Sequence, residues 1–473
     1  MTDQTSEHTG GSLFAPHARL PNGWQPDVLL QWDKHGTLTT VRSHTPADML
    51  KAVARLQRAR GPILAGMPNL HSHAFQSAMS GLTEYRAQAA DSFWSWRDLM
   101  YRFAARISPQ SMAAIAHWLY IDMLKAGYTS VCEFHYIHHQ PGGARYAQPS
   151  EMSQQLVNAA ERAGLGMTLL PVLYQYSGFD AQAPRQDQQR FLNTPEQLLV
   201  LLESLQRSHP ETAQRRYGVA PHSLRAVSEA TLTTLLNGMD RLFPGAPIHI
   251  HIAEQTAEVE ACVANAGARP VRWLLDHFPV DQRWCLVHAT HMDAGETQSL
   301  ARSGAIAGLC LTTEANLGDG IFPARDYLMA DGRFGLGSDS HIGLDWRSEL
   351  RLLEYGQRLM RHERNVLAST QHAHVADRLF DAAAQGGAQA SGRDVGSLVV
   401  GHQADFMVLD PNHPHLAEQH PDSWLSGMVF SERNKTPIRD VYVAGAQVVH
   451  DGRHRDEEQA YARYRQALSK LLQ

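Results

Sequence analysis

Between about residues 61 and 360, short apolar and β-branched runs alternate with stretches whose apolar positions recur at helical spacing, the pattern of repeated strand-helix units around a parallel sheet. Eight runs read as strands: Ile63 to Met67, Thr129 to Phe134, Met167 to Val172, Tyr217 to Ala220, Pro247 to Ile252, Cys285 to His288, Ala305 to Leu309 and Phe334 to Gly337. Helix starts are marked by Ser108-Pro109, Thr194-Pro195-Glu196 and Ser228-Glu229, where a capping hydroxyl precedes residues suited to a first turn; Gly127 marks a stop. Eight such units point to a (β/α)8 TIM barrel, whose chemistry sits at the C-terminal ends of its strands. An open doubly wound sheet is the alternative, and the absence of a Gly-rich phosphate loop after any strand weakens it.

The two ends of the chain read differently. Asp27 to Trp32 and Thr37 to Val41 form a hairpin pattern around Lys34-His35-Gly36, while Ala404 to Leu409 and Val441 to Val449, the latter turning at Ala444-Gly445, read as strands. An isolated hairpin is marginal in water, so both ends are expected to join in one small β-sandwich-like domain. The chain then divides into residues 1–60 and 391–473 for that domain, with a closing helix after Asp456, and residues 61–390 for the barrel.

Composition narrows the class. With 43% hydrophobic and 19% charged positions in 473 residues, disorder, collagen and coiled coil are excluded. A net charge of −6 without a basic run gives no footprint for nucleic acid or an anionic membrane, and no apolar run is long enough to cross a bilayer. The polar start, Met1 to Gly11, has no secretory pattern, and Cys132, Cys262, Cys285 and Cys310 are widely spaced, which favours reduced thiols and a cytoplasmic protein. Histidine is in excess, at 27 residues, and it is the commonest metal ligand and the side chain that titrates nearest neutrality.

Several of these histidines fall at strand ends. His71 and His73 alternate after the first strand, so two imidazoles can face one ion. The fifth strand carries His249-Ile-His251 followed by Glu254; His251 lies nearer the C-terminal end and is preferred as a third ligand, while His249 reads as an interior histidine. Glu254 is a candidate general acid and base, although a carboxylate opening a helix is as common without a function. The sixth strand ends at His288 and the eighth at Asp339, a candidate fourth ligand that also accepts a proton. Each residue alone has a structural explanation; their shared position at one end of successive strands is what argues for a site.

His71-x-His73, His251, His288 and Asp339 on strands one, five, six and eight resemble the metal pattern of the amidohydrolase superfamily. That resemblance implies a (β/α)8 barrel with a small β domain from both chain ends. The binuclear members bridge two metals with a lysine or glutamate from an intermediate strand; here the five lysines, Lys34, Lys51, Lys125, Lys435 and Lys470, all lie away from the strand ends. The mononuclear, deaminase-like branch is therefore favoured, with one divalent ion, Zn2+ first. Longer segments, among them Gly66 to Leu82, Asp91 to Phe103, Ala126 to His139, Val219 to Val227, Ile248 to Gln255, Leu286 to His291 and Thr312 to Ala324, resemble the formimidoylglutamate deiminase family of histidine degradation. The match spans nearly the whole barrel; it departs in the first dozen residues, from about Leu367 to Asp394, and at Leu311, where proline is expected.

The resemblance implies hydrolysis of N-formimidoyl-L-glutamate to N-formyl-L-glutamate and ammonia. It implies a metal held by His71, His73, His251 and Asp339. Glu254, His288 and Asp339 would be catalytic, and Gln76, Arg97, Tyr136, His222 and Arg225 would bind the substrate. Two carboxylates on the substrate call for guanidinium partners, because arginine holds a carboxylate bidentately and stays charged. In the expected mechanism the metal acidifies a water, Asp339 takes its proton, Glu254 protonates the imine nitrogen, and His288 hydrogen-bonds the developing oxyanion. Two alternatives remain. A zinc deaminase acting on a purine or pyrimidine would keep the ligands but would not need two arginines, and a catalytically silent barrel would have lost a ligand or Glu254. A homodimer is expected from the base rate of homo-oligomers, with no partner beyond a small-molecule dicarboxylate.

Overall fold

The computed structural model describes residues 10–82, 84, 93–431, 433 and 435–473, with the backbone alone for 93–95. Parallel strands form a ring in chain order: Met67–Ser72, Tyr128–His135, Gly166–Leu173, a fourth strand in two pieces, then Ile248–Ile252, Trp284–His288, Ile306–Leu309 and Arg333–Leu336. The eighth strand pairs back onto the first at Leu336 and Asn69. The fourth strand, read as continuous over Tyr217 to Ala220, breaks into Arg215–Tyr217 and Ala220–Pro221. Ring closure on its far side rests on two parallel bridges, Val219 to Ile248 and Ser223 to His251. Backbone hydrogen bonds from His249 N to Val219 O and from His251 N to His222 O, both 3.0 Å, complete that seam.

Helix starts follow the local signals. Ser108, Thr194 and Ser228 each cap a helix, over Pro109–Lys125, Pro195–Ser208 and Glu229–Leu242, and each accepts from a backbone N–H in the first turn. Strand assignment was less local. Ile63 to Met67, read as the first barrel strand, is divided: Ile63–Ala65 pairs with Phe406–Leu409 and with Gly11–Leu20 in a second sheet, and the barrel strand proper begins at Met67. His71 therefore lies inside the first strand rather than after it.

The second sheet joins both chain ends. It runs Arg453–His454, Ala446–His450, Ile438–Val443, Phe406–Leu409, Ile63–Ala65, Gly11–Leu20, Gly23–Trp32 and Leu38–Arg42, with Gln57–Arg58 beside Gly11–Leu20. Gly11–Leu20, the long strand that links the two halves, was not among the expected elements. Leu13, Val28, Leu30, Trp32, Leu38, Ile63, Phe406 and Tyr442 form its buried face, separate from the barrel core. Phe406 and Tyr442 stack across two strands with ring centroids 4.5 Å apart.

Opposite the barrel mouth, the helix Val375–Ser391 covers the starts of several strands. Thr168 of the third strand donates to Ser391 O at 2.7 Å, and His249 Nε2 lies 2.8 Å from Ala390 O, which makes His249 a structural residue as its sequence position suggested. Gly386 and Gly387 let this helix reach the sheet, since a Cβ on Gly386 would collide with the carbonyl of Phe334 and one on Gly387 would press on Pro68. Overpacking such a contact costs about 1–3 kcal/mol. Gly386→Ala is expected to lower stability by about that amount in chemical denaturation. A denaturation midpoint equal to the parent's would contradict this close packing.

Candidate active site

The strand ends are stitched together before any side chain acts. Asp339 N donates to His71 O at 3.0 Å and His73 N to Asp339 O at 3.2 Å, so the first and eighth strands hold three of the predicted ligands in one knot. Asn69 reinforces it, its Oδ1 accepting from His71 N and Ser338 N and its Nδ2 donating to Ser338 Oγ. Left-handed backbone conformations at Ala253, His288, Ala289, Asp339 and His341 turn the chain sharply where these strands end. For residues other than glycine such conformations are costly and persist only where surrounding contacts over-determine them. Glu258 supplies one such contact, its carboxylate accepting from Ala253 N and Glu254 N at 3.2 Å each.

His71, His73 and His251 point their ring nitrogens into one cluster, with His71 Nε2 3.0 Å from His251 Nε2. Asp339 Oδ1 lies 3.6 Å from His71 Nε2 and 3.4 Å from His73 Nε2. His73 Nδ1 is 2.8 Å from the carbonyl of Phe134, which can only accept, so Nδ1 carries the proton and Nε2 presents its lone pair to the cluster. Burial pushes all three imidazoles below their ordinary range, His71 to about 3 despite the opposing pull of Asp339, which keeps them neutral. Burial would raise the Asp339 carboxyl, but the facing imidazoles of His71, His73 and His288 hold it well below the usual carboxylate range. Three neutral imidazoles converging on a carboxylate form a set of acceptors that a divalent cation satisfies, and this donor set fits one.

Beside the cluster stands a second group. His288 Nε2 is 3.7 Å from Glu254 Oε1 and 3.9 Å from Asp339 Oδ2, and its Nδ1 is 3.3 Å from Glu314 Oε1. Burial works against protonation of this ring, but Glu254, Glu314 and Asp339 outweigh it and lift His288 to about 10. Glu254 is pushed up to about 7, first by burial and then by Asp339 and Glu258. Asp319, which sequence reasoning missed, lies with Glu254 and His288 in one buried group and is pushed up to about 9 by burial and by Glu254. Gln255 Nε2 donates to Asp319 Oδ1, while Asp319 Oδ2 is buried without a hydrogen-bond partner.

One cavity collects these groups. His73, His251, Glu254, His288 and Asp339 line it together with all five expected substrate residues, Gln76, Arg97, Tyr136, His222 and Arg225. Gln76 Nε2 donates to Tyr136 Oη at 2.9 Å. Arg97 and Arg225 also face an adjoining outer groove, so the guanidinium end of the cavity is the end nearer solvent. Trp96, Met100, Tyr101, Tyr174, Phe191 and Leu317 complete the wall. Tyr174 follows the third strand directly, a position that strand order alone could have flagged. Asp91, Ser92 and the side chains of Phe93, Trp94 and Ser95, part of the aromatic segment singled out in the sequence, lie outside the described residues.

Several other mouth histidines hold backbone carbonyls or neighbouring hydroxyls, whereas His135 Nε2 is buried without a hydrogen-bond partner. His138 Nε2 meets Val172 O, His139 Nε2 meets Leu192 O, His291 Nε2 meets Asp319 O, and His341 lies between Ser72 Oγ and Ser338 Oγ. Among the described residues no helix is long and apolar enough to cross a membrane.

Comparison with known proteins agrees with this architecture. The chain is 50% identical to a formimidoylglutamate deiminase of Pseudomonas aeruginosa over 98% of its own length and 99% of that protein's. It is 26% identical to a 5-methylthioadenosine/S-adenosylhomocysteine deaminase of Natronomonas pharaonis, covering 94% of this chain and 93% of that one. Among solved structures, an amidohydrolase from Brucella melitensis superposes with a TM-score of 0.90 at 44% identity, over 98% of this chain and all of that one. An adenosine deaminase from Xanthomonas campestris with bound zinc shares the fold at a TM-score of 0.80 and 21% identity, over 98% of each chain. Residues 63–448 match the amidohydrolase family itself, and the chain belongs to that family.

Proposed function

We propose that this enzyme hydrolyses N-formimidoyl-L-glutamate to N-formyl-L-glutamate and ammonia, a step of histidine degradation. The observation that carries the reading is the polarity of the cavity. Arg97 and Arg225 stand at its outer end, and Glu254 and Asp339 line its inner end, with Asp319 grouped with Glu254 and His288. A dicarboxylate with a basic amidine at its far end has the complementary charge order, its carboxylates meeting guanidinium and its cationic formimidoyl group meeting carboxylate. A purine or pyrimidine ring has no use for two guanidiniums. The 50% identity to a formimidoylglutamate deiminase supports the same substrate.

In this reading His71, His73, His251 and Asp339 hold one divalent ion, with zinc proposed. When bound there it polarises and acidifies a water molecule beside the substrate. Asp339 takes the proton of the attacking water. His288, facing both Asp339 and Glu254, donates a hydrogen bond to the oxygen as it adds to the formimidoyl carbon. Glu254, buried and half-protonated near neutrality, delivers protons to the departing nitrogen. The C–N bond breaks, the oxygen keeps its bond to carbon as the formyl group, and the nitrogen leaves as ammonia. Gln76, Tyr136 and His222 share the substrate's carboxylates with the two arginines. Four buried cysteines, none in a disulfide, suit the proposed cytoplasmic location, and a homodimer is the proposed assembly.

Two substitutions test the roles. Glu254→Gln should lower kcat by about 10^2- to 10^4-fold while metal analysis still finds one bound ion; near-normal turnover removes Glu254 from the chemistry. Arg225→Gln should raise KM for formimidoylglutamate by roughly 10- to 100-fold, the loss of a charge-assisted contact. An unchanged KM would show that the carboxylates bind elsewhere.

A further inference from the structure

A second cavity, of about 740 Å3, lies between the helices Pro109–Lys125, Glu151–Ala163 and Glu457–Leu471 and shares no lining residue with the active cavity. Four cationic side chains line it, Arg106, Arg162, Arg463 and Lys470, and among the described residues no carboxylate does. This is against the sign of the whole protein, whose net charge is −6. Arg106 donates to Leu471 O at 2.9 Å, whereas Arg162, Arg463 and Lys470 make no ion pair with any described residue.

His117 points to what the cavity takes. It lines the cavity, is 3% exposed, and neither of its ring nitrogens has a hydrogen-bond partner. The nearest carboxylate, Asp456, is 3.9 Å from Nε2, beyond a hydrogen bond. Burial, then Arg162, His454 and Arg463, push its ring down to about 4 against the pull of Asp456, so it is neutral and holds one N–H to donate. Buried polar atoms are nearly always bonded in folded proteins, so the His117 N–H calls for an acceptor that the described residues do not supply.

We propose that this cavity binds a small multivalent oxyanion, a phosphate or a polycarboxylate, between the guanidiniums of Arg162 and Arg463, the ammonium of Lys470 and the N–H of His117. Guanidinium forks match both kinds of oxyanion, and one such ligand would offset the positive charge of the cations and accept from the imidazole N–H together.

Isothermal titration calorimetry on the full-length, metal-loaded protein at fixed ionic strength tests this, with inorganic phosphate in one arm and tricarballylate in the other. At least one should bind saturably, and its affinity should fall about tenfold or more in the Arg162→Gln/Arg463→Gln double variant, which keeps parental turnover because neither residue touches the active cavity. Phosphate binding alone identifies a phosphate ligand, and tricarballylate binding alone a polycarboxylate. No binding of either up to about 10 mM would overturn the proposal. So would an unchanged affinity in the double variant, which would move the anion to Arg97 and Arg225.

Discussion

Glu254, Asp319, Asp339 and Glu314 are buried within a few ångströms of His288 at the end of a barrel, and the structure around them is organised by what that burial costs. An unpaired charge in a low-dielectric interior is strongly unfavourable, so each carboxylate must be neutralised, hydrogen-bonded or set against a cation. The chain uses all three. Asp339 lies 3.9 Å from the His288 ring, which is raised to about 10, Glu314 accepts from Cys310 N at 2.9 Å, and Glu254 and Asp319 are shifted toward their protonated forms. The left-handed turns at Ala253, His288 and Asp339 are the backbone expression of the same demand. They cost on the order of 1–3 kcal/mol each and aim side chains inward that a regular strand end would send elsewhere.

In the proposed function, the barrel and the imidazole cluster at its mouth set the reaction class, and the polar ends of the cavity set the substrate. Relatives that share this fold include deaminases named for nucleosides, so the scaffold alone does not choose a substrate. What differs at a site of this kind is the wall, and here the wall carries two guanidiniums outside and a cluster of carboxylates inside. Tyr101, Tyr174 and Gln188 support that wall from behind: Gln188 Nε2 donates to Tyr174 Oη at 2.9 Å and to Tyr101 Oη at 3.2 Å, and the Arg97 guanidinium lies 5.6 Å from the Tyr101 ring. The carboxylate of Glu133 works at the other side of the imidazole cluster. It accepts from Ala74 N and Ser72 Oγ, both 2.7 Å away, and so fixes the segment around His73.

Features set by neighbouring residues were legible in the sequence. Helix starts at Ser108, Thr194 and Ser228 follow from cap chemistry within four residues, and the helix after Asp456 begins at Glu457. The preference for His251 over His249 followed from period-two alternation plus position along one strand, and the two rings do diverge, His251 to the imidazole cluster and His249 to Ala390. Features set by distant partners were not. Ile63 to Met67 is one apolar run in sequence, and only the pairing of Ile63–Ala65 with Phe406–Leu409, far along the chain, separates it from the barrel strand Met67–Ser72. Gly11–Leu20 carries Pro16, His17 and Arg19 and does not alternate cleanly, yet it pairs along nearly its whole length with Gly23–Trp32. Glu133, Glu314 and Asp319 gave no local sign of burial, because what buries them is the closure of the barrel.

The central claim, that this polarised cavity selects a dicarboxylate amidine, is tested most directly by measuring ammonia release from N-formimidoyl-L-glutamate beside guanine, adenine and cytosine on one preparation of known metal content. Turnover of formimidoylglutamate is expected, and turnover of none of the nucleobases. Ammonia from a nucleobase, with none from formimidoylglutamate, would contradict the substrate assignment while leaving the family intact.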